Sequence, residues 1–234
     1  MNDTIKGIVI NTTDVKDNDQ ILNVCSQQYG IVSFYGRGLK KITSRNAYAC
    51  QLFDLSEFYC DYNETRDVQL LKSAALKNEF APIKLDYDKL ALSSVVAEII
   101  GHLSEEKLFD LLLETLEKME ETSEPYLVYN LFIVHILNYL GISPSVDGCV
   151  ICESTSSIET ISLEDGGFIC HQCNRGMHLK PYDAAFLRKF RIINKAGFEV
   201  YDKIMGLQLN DYDLCRLLTE FLCTHSGMQL RSFK

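Results

Sequence analysis

The sequence predicts an α+β protein with a small β domain at residues 1–80 and a helical domain at 81–234, into which a cysteine module, 146–180, is inserted. Three observations indicate this. The first part alternates apolar and polar side chains between turn-forming residues, as strands do. Residues 81–141 and 183–222 repeat apolar side chains every three or four positions, as amphipathic helices do. Between these helical stretches stand two Cys-x-x-Cys pairs.

Five strands are predicted in the β domain. They cover residues 4–10, 20–25, 31–35, 51–59 and 68–71. The stretch 11–19 is rich in Asn, Asp and Thr, which predicts a turn between the first two strands. Short strands separated by turns favour a small barrel or sandwich, and the simplest match is a five-stranded Greek-key barrel, the OB-fold. An SH3-like barrel or an open sheet fits the same pattern.

Three helices are predicted before the cysteine module. Their starts are marked by Asp88, Ser104 and Ser123. The third helix, which runs to Leu140, is apolar on nearly every side, so we expect it to be the central buried helix. His135 lies inside it and is expected to be a satisfied core residue and not a catalyst.

Two helices are predicted after the module. The first, 183–193, is amphipathic and carries a basic cluster. The cluster consists of Arg188, Lys189 and Arg191. The last helix is capped by Asn210 or Asp211 and ends near Gly227, where a glycine C-cap is favourable.

The two cysteine pairs predict one structural zinc ion. The predicted ligands are Cys149, Cys152, Cys170 and Cys173. The gap between the pairs, 153–169, has the length expected of a four-thiolate site. Its alternating strand and turn residues predict a hairpin that brings the pairs face to face. Four sulfur ligands leave no open position for water or substrate, so the metal would be structural. His171 is expected to be a knuckle residue or an outer hydrogen-bond donor.

Other interpretations of the cysteines are a thioredoxin-like redox motif, two disulfides, or chance. A redox motif needs one pair beside a βαβ unit, and the sequence has two pairs and no such unit. Disulfides need an oxidising compartment. The other five cysteines stand among apolar residues and are typical of small buried side chains in a reducing cytosol. No apolar run approaches membrane-spanning length and the start lacks a signal-peptide pattern, so we expect a cytoplasmic protein.

The formal net charge is −9, and it is unevenly spread. Residues 81–145 contain 4 basic and 11 acidic side chains, whereas residues 1–80 contain 9 and 10. An acidic protein is not a polyanion binder as a whole, so contact with nucleic acid must come from local basic patches.

One loop forms such a patch. Residues 36–45 contain two glycines and no acidic residue, and tyrosines stand on both sides of the loop. Its cations are Arg37, Lys40, Lys41 and Arg45. Cations beside aromatic rings suit the phosphates and bases of a single strand. The alternative is a solvated, flexible hairpin end. The spacing does not match a P-loop.

The chain resembles the RecO family of bacterial recombination mediators over essentially its full length. The similar segments are the opening strand and acidic turn (8–10, 17–21), the step at 29–33, the glycine-basic loop (36–45), the helix end and zinc entry (141–152) and the ending at 225–232. Their order and spacing together carry the resemblance.

The resemblance implies an N-terminal OB-fold, a helical domain and an inserted zinc module. It also implies binding of single- and double-stranded DNA, annealing of complementary strands, and partnership with RecR and the single-strand-binding protein SSB. Together these would load RecA onto SSB-coated DNA in the cytoplasm, at the nucleoid.

Our hypothesis is therefore a DNA mediator that is not an enzyme. The basic loop would neutralise phosphates, while the cluster at 188–191 would extend the DNA track or receive the acidic tail of SSB. One alternative is an adaptor whose acidic helices bind proteins and which does not bind DNA. Another is a zinc enzyme, which needs a metal with three protein ligands and a Glu beside it. No such arrangement is evident in the sequence.

Overall fold

The computed structural model describes residues 3–103 and 108–233. The chain divides into two compact units. Unit 1 is Met1–Glu121 with Leu230–Lys234, and unit 2 is Thr122–Gln229. The domain boundaries predicted from the sequence, 1–80 and 81–234, stay a prediction.

Unit 1 contains a six-stranded sheet. Its strands are β1 (Asp3–Asp14), β2 (Gln20–Ser26), β3 (Gly30–Gly36), β4 (Leu55–Cys60), β5 (Val68–Leu70) and β6 (Ser73–Asn78). The strand order is β5-β3-β2-β1-β4-β6, and every pair is antiparallel except β3–β5. The five predicted strands are thus present, with β6 in addition. The predicted closed barrel is not confirmed, because this order is open between β5 and β6.

Two strand boundaries differ from the prediction by more than one residue. β1 continues through Asp14, because the polar residues after Ile10 still pair with β2, so the predicted turn at 11–19 begins later. β4 starts at Leu55, because 51–54 forms a turn in which the Asp54 N–H donates to the Gln51 carbonyl at 3.0 Å.

The interior of the sheet is built by alternation. Along β3, Val32 and Phe34 are buried while Ile31, Ser33 and Tyr35 are only partly covered. Inward side chains from the neighbouring strands complete one apolar cluster, in which the rings of Phe34 and Phe58 stack at 5.2 Å. The partly covered side chains form the outer face of β2 and β3.

The described residues of unit 1 form three helices after the sheet. They are α1 (Ala81–Leu85), α2 (Tyr87–Leu103) and α3 (Leu108–Glu121). Both α2 and α3 contact β1 and bury their apolar side chains. The opposite side of α3 is acidic and exposed, with Asp110, Glu114, Glu117 and Glu121. The predicted helix start at Ser104 lies outside the described residues.

Unit 2 is helical around a small hairpin. Its elements are α4 (Pro125–Tyr139), β7 (Ile158–Ser162), β8 (Gly167–Cys170), α5 (His171–Met177), α6 (Ala184–Asn194), α7 (Tyr201–Ile204) and α8 (Tyr212–Ser226). α4 contacts both α6 and α8 and buries most of its side chains, as predicted. Of the two predicted N-cap residues of the final helix, Asp211 is the cap and accepts the Leu214 N–H, and the predicted Gly227 stands at the C-cap.

The expectation for His135 is wrong. Its side chain is exposed, as are those of Asn138 and Tyr139. Positions three and four residues apart lie on one side of a helix, so α4 keeps one exposed stripe although its composition is apolar. Among the described residues, no helix combines the length and the apolar character needed to cross a membrane.

Candidate metal centre and nucleic-acid interface

The four cysteines of the predicted zinc site meet in unit 2. One Sγ from each of Cys149, Cys152, Cys170 and Cys173 lies within 4.8 Å of the others. Ligands about 2.3 Å from a tetrahedral ion lie about 3.8 Å from one another, and the cluster fits this geometry. The Sγ atoms of Cys152 and Cys170 are 3.6 Å apart, too far for the disulfide bond length of about 2.05 Å. The cluster could therefore hold a metal ion.

Two turns position these cysteines. The first pair lies in a tight loop in which the Cys149 N–H donates to Ser154 O and the Glu153 N–H donates to Cys149 O, both at 2.8 Å. The second pair joins the end of β8 to the first turn of α5. Ile158 pairs with Cys170 across the antiparallel hairpin, so the hairpin sets the position of the second pair.

Gly167 ties the two turns together. Its strand bridges to Ser145, just before the first cysteine pair, and a Cβ at Gly167 would lie 2.3 Å from Ser145 O. No real Cβ contact is that short, so this close approach of two backbones requires glycine.

The electrostatics of the cluster favour a cation. Burial opposes ionisation of Cys149, but N–H donors of Cys170, Ile151 and Cys152 lower the pKa of its thiol to about 6. The pKa of Cys173 is instead raised to about 12, first by its hydrogen bond with Cys152 and then by burial and the other thiols. Four crowded sulfurs do not ionise together without a positive charge between them, which a metal ion supplies.

A carboxylate outside the cluster connects the hairpin to α5. Glu159 Oε1 contacts His171 Nδ1 at 2.9 Å, and Glu159 Oε2 accepts a hydrogen bond from Asn174 Nδ2 at 2.8 Å. Asn174 also bonds both the N–H and the carbonyl of Leu179. His171 lies outside the four-sulfur group, as expected. Sequence reasoning missed Glu159 and Asn174, because neither carries a spacing signal.

The basic loop of unit 1 connects β3 to the turn before β4. Arg37, Lys40, Lys41 and Arg45 are all exposed. Lys40 forms an ion pair with Asp14. The other three make no ion pair with any described residue.

Asp19 anchors the base of this loop to the β1–β2 turn. It accepts the Tyr35 hydroxyl at 2.6 Å and the Gly38 N–H at 2.8 Å. These two hydrogen bonds lower the pKa of Asp19, and the charges of Lys16 and Arg37 add to the effect. The start of the loop is therefore ordered, while its cations remain at the surface.

Apolar side chains also project from the loop. Ile42 is 106% exposed and Tyr48 is 55% exposed. Ile42 was not singled out from the sequence, although an isoleucine between lysines and arginines in a predicted loop is a readable signal.

The second predicted cluster, on α6 in unit 2, is largely paired. Lys189 Nζ lies 2.7 Å from Asp211, the N-cap of α8, and Arg191 Nη2 lies 3.2 Å from Asp147. Arg188 is exposed and has no ion-pair partner in the described part of the chain. The structure thus brings the four predicted cysteines together. Of the three predicted cations on α6, it leaves Arg188 without an ion-pair partner among the described residues.

Comparison with known proteins gives consistent results. The family model described as recombination protein O N terminal matches residues 1–80, and the one described as recombination protein O C terminal matches residues 84–234. DNA repair protein RecO of Halalkalibacterium halodurans is 25% identical over 233 residues, which cover 97% of this chain and 91% of the relative.

Two further relatives carry the same name. DNA repair protein RecO of Listeria monocytogenes is 29% identical over 241 residues, covering 98% of this chain and 91% of the relative. That of Bacillus subtilis is 28% identical over 194 residues, covering 79% and 75%. Because the two family models together match nearly all of the sequence, the chain belongs to the recombination protein O, or RecO, family.

Proposed function

We propose that this protein acts in DNA repair and recombination by binding single- and double-stranded DNA without catalysing a reaction. The observation that carries the proposal is the exposed loop 36–45, which presents Arg37, Lys41 and Arg45 together with the exposed Ile42 and is followed by the exposed ring of Tyr48. Cations neutralise phosphates, while an apolar tip and an aromatic ring suit bases. The names of the relatives support the same role.

The β domain is proposed to be a barrel of OB type. Two consecutive residues support this. The Leu71 N–H donates to Tyr35 O of β3 at 3.1 Å, and the Lys72 N–H donates to Tyr59 O of β4 at 2.9 Å. A segment that bonds β3 and then β4 would close the sheet at its open side, as the bent last strand of such a barrel does.

The metal is proposed to be Zn²⁺ in a structural role. Four thiolate ligands in a tetrahedral arrangement suit zinc, and the set leaves no position for substrate. When bound, the ion would neutralise the crowded thiolates and cross-link the two turns. Cys149, Cys152, Cys170 and Cys173 would hold it.

In the proposed role, the protein holds two complementary strands and screens the repulsion between their phosphates, so that the strands anneal. RecR and SSB then cooperate with it in loading RecA.

The structure reduces the number of cations in the second basic cluster that are available to a ligand. Lys189 and Arg191 already have carboxylate partners, so Arg188 is the cation left for DNA or for the acidic tail of SSB.

The test is the salt dependence of binding to labelled dT25, measured by fluorescence anisotropy with the whole protein. The slope is taken as the fall in log K per unit of log salt, and for a single strand each lost phosphate contact lowers it by about 0.7. Lys41→Ala combined with Arg45→Ala should therefore lower the slope by about 1.4. Lys40→Ala should lower it less, because Asp14 already compensates that charge.

The matched control is Lys77→Ala, a lysine of β6 that is paired with Glu57 and is expected to leave the slope unchanged. An unchanged slope in the Lys41 and Arg45 double variant would show that the loop does not contact phosphates.

The second candidate is an adaptor that does not bind DNA. The exposed acidic side of α3 favours it, because such a surface repels DNA and suits a basic protein partner. A gel shift at low salt with the purified protein alone separates the two functions. Annealing of SSB-coated complementary oligonucleotides, with and without the protein, then tests the mediator role.

A further inference from the structure

A cleft of about 520 Å³ opens in unit 1 between the outer face of the sheet, α2 and the segment 230–233. Its floor is apolar, formed by Ile10, Ile31 and Leu52. Asn11 and Asn23 stand beside this floor, and Arg231 lies at the rim. The volume falls in the range of about 300–1,000 Å³ that is typical of small-ligand sites. We call it the α2 cleft.

A β-bulge shapes the floor. The β1–β2 register shifts between Val9 and Asn11, so Ile10 is the extra residue and Asn11 pairs directly with Asn23. Bulges redirect side chains and occur next to binding sites. Here the bulge places two carboxamides opposite each other. Asn23 Oδ1 accepts the Ser33 hydroxyl at 3.0 Å, which leaves its Nδ2 for a ligand.

Glu98 of α2 holds in place the wall of the cleft that the segment 230–233 forms. Its carboxylate accepts the backbone N–H of Arg231 at 2.8 Å and that of Ser232 at 2.9 Å. Two N–H donors compensate the charge of the carboxylate, so it repels a nearby phosphate less. The exposed guanidinium of Arg231 adds a positive charge at the rim.

We propose that the α2 cleft takes one base of a bound single strand, an inference that rests on the proposed DNA-binding function. A base has apolar faces, which match the floor, and a hydrogen-bonding edge, which matches the carboxamides. The Asn11 carboxamide is both donor and acceptor and can turn over, while Asn23 presents its Nδ2 as a donor, so together they can pair with the edge of any base. The site therefore recognises a base without selecting its identity.

β3 connects the cleft to the basic loop. Ile31 of the floor and Arg37 of the loop lie six positions apart along this strand, about 20 Å at about 3.3 Å per residue. A single strand that follows the outer face of β3 would meet phosphate-binding cations at one end and the base-binding cleft at the other.

The experiment compares dT25 with an abasic strand of the same length, using the full chain. Asn11→Ala combined with Asn23→Ala should bind dT25 about tenfold more weakly, because two hydrogen bonds to the base are lost. The same variant should bind the abasic strand as the wild type does and keep the same salt slope, because no ionic contact changes.

A second variant tests the cleft by filling it. Ser94 lies on α2 at the cleft, and its hydroxyl donates to the Leu90 carbonyl of its own helix at 2.7 Å, its one partner among the described residues. Ser94→Phe should also weaken binding of dT25 selectively. Thr13→Ala is the control, because Thr13 is exposed two positions beyond Asn11 on β1 and does not line the cleft.

The outcomes separate the two proposals. Wild-type binding of dT25 combined with unchanged binding in both cleft variants would overturn the inference alone. An equal loss of affinity for dT25 and for the abasic strand would also overturn it, because a damaged fold would weaken binding of both strands alike. A wild-type chain that bound neither strand at low salt would overturn the DNA-binding function and this inference with it.

Discussion

The buried carboxylate of Asp54 forms an ion pair with the partly exposed Lys84 in unit 1. The Asp54 side chain is 1% exposed, and its carboxylate lies 2.6 Å from Lys84 Nζ. It also accepts the Gln51 N–H at 2.8 Å. Burial raises the pKa of Asp54, while Lys84 and then Gln51 oppose that rise. The sequence did not predict this pair, because Asp54 stood in an expected strand and the pairing depends on a helix 30 positions later.

Lys84→Met should destabilise the protein by about 3–5 kcal/mol at pH 7, because it leaves a buried carboxylate without its cation. Without Lys84 the pKa of Asp54 rises further in the folded state. A raised folded pKa favours the folded state at low pH and costs stability as pH rises through it. The loss should therefore be smaller at pH 5 than at pH 7, measured by urea unfolding.

Lys77→Met is the control, since the solvent-screened Lys77–Glu57 pair is expected to contribute little to stability. A loss for Lys84→Met that does not change between the two pH values would contradict the assigned role of Asp54.

At the scale of elements, the sequence predicted the hairpin of the metal centre. It did not predict the helix and the side chains that hold this hairpin in place. Alternation and turn residues predicted β7 and β8, and ligand type with spacing predicted the four cysteines. α5 was missed, and with it the position of Asn174 beside Glu159. β6 was missed as well, because its residues Ser73–Asn78 have weak strand propensity and become a strand by pairing with β4.

Glu159→Ala should weaken metal binding by about 10–100-fold. The reason is that this carboxylate connects β7 to α5, the helix that carries Cys173. Competition with a chromophoric chelator measures this change. The four-thiolate site also predicts one zinc ion per chain before chelator is added.

Glu164→Ala is the matched control, an exposed glutamate in the turn of the same hairpin. If both variants released metal equally readily, the contacts of Glu159 with His171 and Asn174 would have no part in holding the ion.

At the scale of the whole molecule, charge and the proposed function oppose each other. The net charge is −9, and one helix, α3, exposes four carboxylates. In the proposed function, DNA binding would depend on short-range contacts at the basic loop, and long-range repulsion would slow the approach. Composition alone indicates this conflict. It did not predict that residues 230–233 join unit 1, because backbone N–H groups make the contact and leave no signal in side-chain pattern.

Glu117→Gln combined with Glu121→Gln should speed association with dT25 about twofold at 0.01 M salt, where charges act over about 30 Å. At 0.15 M salt, where the range falls to about 8 Å, the rate should equal that of the wild type. Stopped-flow fluorescence measures both rates.

Lys118→Gln on the same helix serves as the opposite control and should slow association at low salt only. A change in the dissociation rate of the Glu117 and Glu121 variant would instead indicate that this side of α3 touches the DNA.

The hydrogen bonds from Glu98 to residues 231 and 232 span 133 and 134 positions. Translation proceeds from the N-terminus, so α2 emerges from the ribosome long before its partners have been made. Throughout the synthesis of 122–229 the β-strands and α2 of the nascent chain form the floor of the α2 cleft without the wall that residues 231 and 232 add. If the cleft takes a base as proposed, it can do so only after translation has passed residue 232.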